Sequence, residues 1–133
     1  MDNKELKQQA IAARKLSYSP YSKFAVGAAL LTKNGKVYLG ANIENASYPL
    51  CMCAERNALY AAILDGLKKE DLVALAVVAD TGEQVCTPCG ACRQVISELF
   101  PEHAPIYMGN IDDKWEETTI AELLPNAFSG DQL

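Results

Sequence analysis

A run of eight consecutive apolar residues, from Leu72 to Ala79, constrains the fold of this chain more than any other feature of its sequence. A strand with one face in solvent alternates apolar and polar side chains, whereas a strand covered on both faces can be apolar throughout. The run is far shorter than the roughly 20 apolar residues that span a membrane as a helix. It therefore predicts a central buried strand, in a sheet with helices packed on both faces.

The segments around this strand complete an α/β pattern without repeats or linkers. Helices are predicted over residues 4–16, 54–67 and from beyond Pro88 to Phe100, with a last helical turn over 120–124. The other strands are predicted over residues 24–32, 37–43, 105–108 and 115–119. The Asn34-Gly35 pair predicts a type I′ hairpin turn. The order αββαβαββα predicts a single α/β domain over residues 1–133, with three αβα layers around a mixed five-stranded sheet.

The charge balance and the N-terminal residues limit the partners of the chain. It has 12 basic and 17 acidic residues, a formal net charge of −5, and no basic stripe of the kind that nucleic-acid binders carry. The polar N-terminus lacks the apolar segment of a signal peptide. We therefore expect a cytoplasmic protein that binds neither nucleic acid nor membrane.

Five cysteines stand against a single histidine, His103, which lies in a predicted surface loop. In a reducing compartment, clustered cysteines indicate a metal site or catalysis rather than disulfides. Cys89 and Cys92 have the spacing at a helix start that lets two thiolates reach one zinc ion, and Cys53 can supply a third. Three protein ligands leave a fourth position for water, as in catalytic zinc sites.

The spacing of the cysteines also permits two other sites. A fourth thiolate from Cys51 or Cys86 would close the metal site and make it structural. The Cys89–Cys92 pair alone would also suit a redox couple. The spacing does not decide among these alternatives.

Charged residues beside the cysteines add to the catalytic interpretation. Glu55 lies two residues after Cys53, where a carboxylate can take a proton from zinc-activated water. The simpler alternative is that Glu55 complements the helix dipole. Three thiolates and Zn²⁺ carry a net charge of −1, and Arg56 and Arg93 are placed to offset it. Their alternative role is salt bridging on the helix surface.

Five short stretches, in order and suitably spaced, make the chain resemble the small, homotetrameric, zinc-dependent cytidine deaminases. The stretches are Tyr21-Ser22-Lys23-Phe24-Ala25-Val26-Gly27-Ala28-Ala29-Leu30, Asn42-Ile43-Glu44-Asn45-Ala46-Ser47-Tyr48, Cys53-Ala54-Glu55-Arg56, Pro88-Cys89-Gly90-Ala91-Cys92-Arg93-Gln94 and Glu122-Leu123-Leu124-Pro125-Asn126-Ala127-Phe128. The resemblance covers nearly the whole chain and implies a cytidine deaminase-like fold. It also implies hydrolytic deamination of cytidine and 2′-deoxycytidine, with release of ammonia, in pyrimidine salvage.

The resemblance assigns a role to each residue of the metal cluster. It implies one Zn²⁺ per chain on Cys53, Cys89 and Cys92, with the other two cysteines as bystanders. It implies that zinc-bound hydroxide attacks C4 of the cytosine ring, and that Glu55 moves the water proton to N3 and then helps the amino group leave as ammonia. The Ala54 backbone N–H is expected at the pyrimidine carbonyl.

The resemblance also implies which residues bind the substrate. Asn42 and Glu44 lie on one face of a strand end and are expected to bind the ribose hydroxyls. Glu44 disfavours a phosphate nearby and so favours a nucleoside. Phe24 and Tyr48 are expected to contact substrate, while Phe128 reaches from its own C-terminal tail into the site of a neighbouring subunit of the homotetramer.

Two alternatives to cytidine deamination remain at the level of sequence. A blasticidin-type nucleoside deaminase has a similar size and zinc motif. A non-enzymatic interaction module stabilised by zinc would also retain the cysteines. Exchange of Glu55 for Gln separates the second alternative from an enzyme, because only an enzyme would lose turnover and keep its metal.

Overall fold

Four α-helices and five β-strands make up the computed structural model, which describes residues 1–133. The helices are α1 (Asn3–Ala13), α2 (Ala54–Leu64), α3 (Gly90–Leu99) and α4 (Ile120–Leu123). The strands are β1 (Val26–Thr32), β2 (Val37–Ala41), β3 (Leu72–Ala79), β4 (Ile106–Asn110) and β5 (Trp115–Thr118). This element order is the one the sequence predicts. None of the helices is long and apolar enough to cross a membrane.

The five strands form one mixed sheet in the order β2-β1-β3-β4-β5. Strands β3 and β4 are parallel, and the other neighbouring pairs are antiparallel. The apolar run Leu72–Ala79 is β3 itself, at the centre of the sheet. Its side chains are buried apart from the half-buried Val73, which confirms the predicted central strand.

Helices cover both faces of the sheet, which confirms the predicted three layers. On one face, α1 packs against the sheet through a cluster that includes Leu6, Ala10, Ala76 and Val78. On the other face, α2 and α3 pack through a larger cluster that includes Leu59, Ile96, Leu75 and Val77. Helices α2 and α3 therefore lie side by side, and their first turns carry the cysteines.

Helix α2 ends earlier than the periodicity predicts. Gly66 adopts a left-handed conformation, with φ of 92°, and its N–H donates to the Ile63 carbonyl at 3.0 Å. The Leu67 N–H donates to the Ala62 carbonyl at 3.1 Å, which completes a Schellman motif. Apolar Leu67 therefore contributes to the core from beyond the helix, which explains why the pattern extends past it.

The predicted type I′ turn between β1 and β2 is wrong. Only Gly35 of the Asn34-Gly35 pair has a positive φ, at 85°. The Gly35 N–H donates to the Thr32 carbonyl, and the Thr32 N–H donates to the Lys36 carbonyl, both at 3.0 Å. This is a three-residue loop with a left-handed glycine, as in a G1 bulge. The Asn34 side chain accepts from the Lys36 N–H at 3.1 Å and so fixes the loop.

Candidate metal centre and active site

The first turns of α2 and α3 bring three cysteine sulfurs together. Cys53 is the N-cap of α2, Cys89 is the N-cap of α3, and Cys92 is the third residue of α3. Their three sulfurs lie within 4.8 Å of one another, and those of Cys53 and Cys89 are 3.8 Å apart. Zinc–sulfur bonds of about 2.3 Å with tetrahedral angles put two sulfurs about 3.8 Å apart. The donor set and its spacing therefore fit one zinc ion.

The surroundings of the cluster stabilise negative charge on sulfur. The cluster lies at the positive ends of two helices, and at the start of α3 the Cys92 N–H donates to the Cys89 sulfur at 3.4 Å. The pKa of Cys53 is lowered, chiefly by a hydrogen bond from Cys92 and further by Arg56. Arg56 Nη2 lies 3.3 Å from the Cys53 sulfur, and this contact raises the arginine's own pKa. Cys53 therefore favours the thiolate form that a metal requires.

Glu55 is the only charged residue of the protein that is buried. It is the second residue of α2, and only 4% of its surface is exposed. Burial raises the pKa of its carboxyl group to about 7. A carboxyl group with a pKa near neutrality can both accept and return a proton under physiological conditions. This position beside three sulfurs suits a proton carrier better than a residue that only complements the helix dipole.

A cavity of about 250 Å³ opens beside the cluster, on the side of the sheet that carries α2 and α3. Its lining residues are Phe24, Val26, Asn42, Glu44, Cys51, Met52, Cys53, Ala54, Glu55, Cys86, Thr87 and Cys89. Seven of the site residues predicted from the sequence therefore line this one cavity, together with apolar and thiol side chains. The cavity has the size and mixed lining of a site for a small organic molecule.

The loop after β2 brings Asn42 and Glu44 to the cavity. Ile43, between them, exchanges two backbone hydrogen bonds of 2.9 Å with Met52, just before α2. The Glu44 N–H donates to the Tyr18 carbonyl at 2.8 Å. This bridging holds the loop between the segment after α1 and the start of α2, close to Cys53.

The side-chain amide of Asn42 is held in one orientation. Its Oδ1 accepts from the Val26 N–H at 2.9 Å and from the Ser17 hydroxyl, and its Nδ2 donates to the Phe24 carbonyl at 2.7 Å. An amide NH₂ group carries two hydrogens, so one remains for a ligand. Asn42 therefore offers a fixed donor to the cavity.

The carboxylate of Glu44 offers the complementary acceptor. Its Oε1 accepts from the N–H groups of Tyr21 at 3.0 Å and Ser22 at 3.2 Å, and its Oε2 accepts from the Ser22 hydroxyl. These bonds lower the pKa of Glu44, and the hydrogen bond from the Ser22 side chain is the largest cause. The remaining lone pair on Oε2 is available to a hydroxyl.

Sequence reasoning missed the two serines that hold these side chains. Ser17 and Ser22 lie between α1 and β1, and neither is given a role from the sequence, although Ser22 belongs to the first stretch of the family resemblance. Their hydroxyls fix Asn42 and Glu44 across more than 20 residues of chain. A serine has no signal of its own at such a separation, so only the folded structure reveals this support.

Two cysteines lie on the cavity wall but outside the sulfur cluster. Cys86 is buried, and burial raises the pKa of its thiol to about 12. The Cys51 sulfur accepts from the Asn45 N–H at 3.3 Å and donates to the Asn45 carbonyl at 3.6 Å. The group of three sulfurs thus contains no fourth cysteine, which favours the open site over the closed one.

Five of the twelve predicted residues do not line the cavity, and three of these also make no contact with the sulfur cluster. The Tyr48 ring, 70% exposed, forms a T-shaped pair with Tyr21, with ring centroids 6.4 Å apart, and shares a neighbouring depression with Glu44 and Cys51. Phe128 is 53% exposed, and its carbonyl accepts from the Gln94 side chain at 3.0 Å. The Arg93 guanidinium donates to the carbonyls of Pro88 at 2.8 Å and Leu123 at 3.0 Å, and contacts no sulfur.

Comparison with known proteins agrees with this site. Residues 1–108 match a family described as the cytidine and deoxycytidylate deaminase zinc-binding region. Over 133 residues, the chain is 53% identical to the cytidine deaminase of Halalkalibacterium halodurans, covering 100% of this chain and 98% of that protein. It is 50% identical over 133 residues to the cytidine deaminase of Sporosarcina psychrophila, covering 100% of this chain and 96% of that protein.

A solved structure extends the similarity to the fold. The crystal structure of the cytidine deaminase from Burkholderia pseudomallei has 46% sequence identity and a TM-score of 0.93, covering 96% of this chain and 100% of that one. The layered sheet and the three-sulfur site define a zinc-binding hydrolytic enzyme. More narrowly, the chain belongs to the cytidine and deoxycytidylate deaminase family. The resemblance predicted from the sequence is thereby confirmed.

Proposed function

We propose that this enzyme hydrolyses cytidine and 2′-deoxycytidine to uridine and 2′-deoxyuridine, with release of ammonia, as a step of pyrimidine salvage. The observation that carries the proposal is the buried Glu55 beside a three-sulfur cluster, in the wall of a small cavity. At the mouth of that cavity, one fixed donor and one fixed acceptor suit a pair of sugar hydroxyls.

The proposed reaction needs a nucleophile at C4 and a proton at the ring nitrogen N3. Zinc on Cys53, Cys89 and Cys92 would lower the pKa of a coordinated water and so supply that nucleophile. Glu55 takes a proton from the water and gives it to N3, then takes the proton of the new C4 hydroxyl and gives it to the amino group, so that ammonia leaves as the C4–N bond breaks and C4 becomes a carbonyl. Its pKa of about 7 suits both directions of transfer. The Ala54 N–H, at the start of α2, donates to the pyrimidine carbonyl.

The ribose is proposed to lie against the loop after β2. Asn42 donates its free amide hydrogen to one hydroxyl, and Glu44 accepts from another. Phe24, 41% exposed at the cavity, packs on the substrate, and Tyr48 closes the outer side. The negative Glu44 disfavours a phosphate group at this end, which supports a nucleoside rather than a nucleotide substrate.

The two arginines are proposed to act differently. Arg56 offsets the negative charge of the thiolates directly, through its contact with the Cys53 sulfur. Arg93 is proposed to compensate the same charge at longer range, while its two bonds to carbonyl oxygens tie the start of α3 to α4.

The exposed C-terminal ring supports a proposal about assembly. Phe128 is a large apolar side chain with little cover in its own chain, so we propose that it enters the site of a neighbouring subunit in a homotetramer. The single sheet and its two helix layers fit one domain over residues 1–133. Five free thiols fit a reducing cytoplasm.

Exchange of Glu55 for Gln tests the proposed function. The variant should retain about one zinc per chain, because it keeps all three sulfurs, and should lose about 10²-fold or more in kcat. The measurement is the absorbance change as cytidine or 2′-deoxycytidine is consumed, together with zinc content by elemental analysis. Glu70→Gln, on the exposed turn before β3, is the matched control and should be as active as wild type. Full activity of Glu55→Gln would contradict the proposed proton transfer.

A further inference from the structure

Two glycines on neighbouring strands each allow a different helix to lie directly against the sheet backbone. A Cβ added at Gly40 of β2 would lie 2.1 Å from the Ala54 carbonyl oxygen and 2.7 Å from the Ala58 nitrogen, both in α2. A Cβ added at Gly27 of β1 would lie at the same two distances from the Ala10 oxygen and the Arg14 nitrogen, at α1. Neither position tolerates a side chain unless a helix moves.

The two contacts are alike in geometry but differ in what the helix carries. Gly27 and Gly40 differ by one position in the β1–β2 register, and their helices pack on opposite faces of the sheet. The helix at Gly27 carries no metal ligand. The helix at Gly40 is contacted at Ala54, which lies between Cys53 and Glu55.

We infer that Gly40 is a positioning residue of the active site, which sets the distance of the Cys53–Glu55 turn from the ligands on α3. This inference rests on the proposed roles of Cys53 and Glu55. A side chain at Gly40 would push the start of α2 outward by at least 0.9 Å to bring the oxygen contact from 2.1 to 3.0 Å. Zinc ligands keep their distances within about 0.2 Å, so a shift of this size separates Cys53 from the other two sulfurs.

A hydrogen bond one turn further along ties α2 to the same strand. Asn57 Nδ2 donates to the carbonyl of Ala41, the residue after Gly40, at 2.8 Å. The close contact fixes how near α2 lies to β2, and this bond fixes its position along the strand. Asn57 is therefore a second positioning residue, and its removal adds no atoms to the interface.

Zinc release measured in Gly40→Ala and Gly27→Ala tests the inference. Both variants introduce the same clash, so both should lower the unfolding midpoint. Gly40→Ala should release zinc to a colorimetric chelator at least about tenfold faster than wild type. Its kcat should fall about 10- to 100-fold, because the shift moves Glu55 relative to a substrate whose ribose is held by Asn42 and Glu44 outside α2. Gly27→Ala should release zinc at the wild-type rate.

Equal zinc-release rates in the two glycine variants would overturn the inference. Asn57→Ala is a milder variant and should release zinc about threefold faster than wild type. If Gly40→Ala is insoluble, a wild-type release rate in Asn57→Ala is enough to overturn the inference. A wild-type protein that binds no zinc would overturn both the inference and the proposed function. If the wild-type protein binds zinc and turns over substrate, and the variants release zinc at the wild-type rate, only the inference is overturned and the proposed function stands.

Discussion

Arg56 Nη2 lies 3.3 Å from the sulfur of Cys53, three residues earlier at the start of the same helix. The Nε of the same guanidinium is buried and has no hydrogen-bond partner, although unpaired buried donors are costly. The orientation of Arg56 therefore favours its contact with the sulfur. Three thiolates and Zn²⁺ carry a net charge of −1, and this arginine is the positive group in direct contact with them.

We expect Arg56→Gln to weaken zinc binding and to lower kcat about tenfold or more, because the charge on the thiolates is no longer offset. Zinc retention during titration toward acid and the pH profile of kcat measure the two effects. Arg56→Lys restores the charge without the planar guanidinium and should be intermediate. Zinc content and activity equal to those of wild type in Arg56→Gln would rule out charge compensation.

Exchange of Ser22 for Ala should raise the pH at which nucleoside binding is lost on acidification, which we call the acid limit of binding. Hydrogen bonding, chiefly from Ser22, holds the pKa of Glu44 below its ordinary value of 4.5. The ionised carboxylate therefore persists at neutral pH and is lost only as the pH falls through that lowered pKa. Without the hydroxyl, Glu44 should take up its proton at a higher pH. The dissociation constant of the product uridine, followed from neutral pH to about pH 4, measures this shift.

Ser22→Thr keeps the hydroxyl and serves as the matched control for this prediction. It should bind uridine with the acid limit of the wild-type enzyme. Superimposable pH profiles for Ser22→Ala and wild type would show that Ser22 does not tune Glu44.

Removal of the tail after Pro125, or the single change Phe128→Ala, should lower activity sharply if the ring completes a neighbouring site. Complementation provides the measurement. Phe128→Ala chains carry an intact Glu55, and Glu55→Gln chains carry an intact Phe128. Mixed oligomers of these two inactive variants should regain activity, because one chain supplies the ring and the other the carboxylate. Full activity of the truncated chain would contradict the shared site.

Gly35→Ala should lower stability without changing the chemistry. The residue has a φ of 85°, and no atom lies within 4 Å of an added Cβ, so the cost is confined to the backbone. An L residue in this region costs about 1–2 kcal/mol, which shifts the thermal midpoint by a few degrees. The turn lies at the far end of the β1–β2 hairpin from Val26 and Asn42, so kcat and KM should be unchanged. Gly35→Asn should lose less stability, because Asn tolerates this conformation.

The fold could be predicted from the sequence where one physical cause dominates. The unbroken apolar run becomes β3 because a strand covered on both faces has no reason to alternate. The start of α3 could also be predicted, because proline is favoured where a helix begins and Pro88 directly precedes the N-cap Cys89. The three sulfurs meet because the starts of α2 and α3 lie side by side, which follows from the element order.

The remaining features depend on contacts that no local pattern encodes. Leu67 extends the apolar pattern of α2, but its side chain reaches the core after the helix has ended at a Schellman motif. Arg93 follows Cys92 directly in the sequence, yet its guanidinium donates to carbonyl oxygens rather than to a sulfur. Ser17 and Ser22 support Asn42 and Glu44 only after the chain has folded back on itself.

The origin of the three sulfurs on two helices has a consequence for how the enzyme acquires its metal. No piece of chain shorter than residues 53–92 contains the complete set, and β3 lies inside that span. A growing polypeptide therefore offers at most one ligand until the central strand and the beginning of α3 have been synthesised. Because the three sulfurs come together only where α3 docks beside α2, the binding of zinc is coupled to that docking and stabilises the folded middle of the protein.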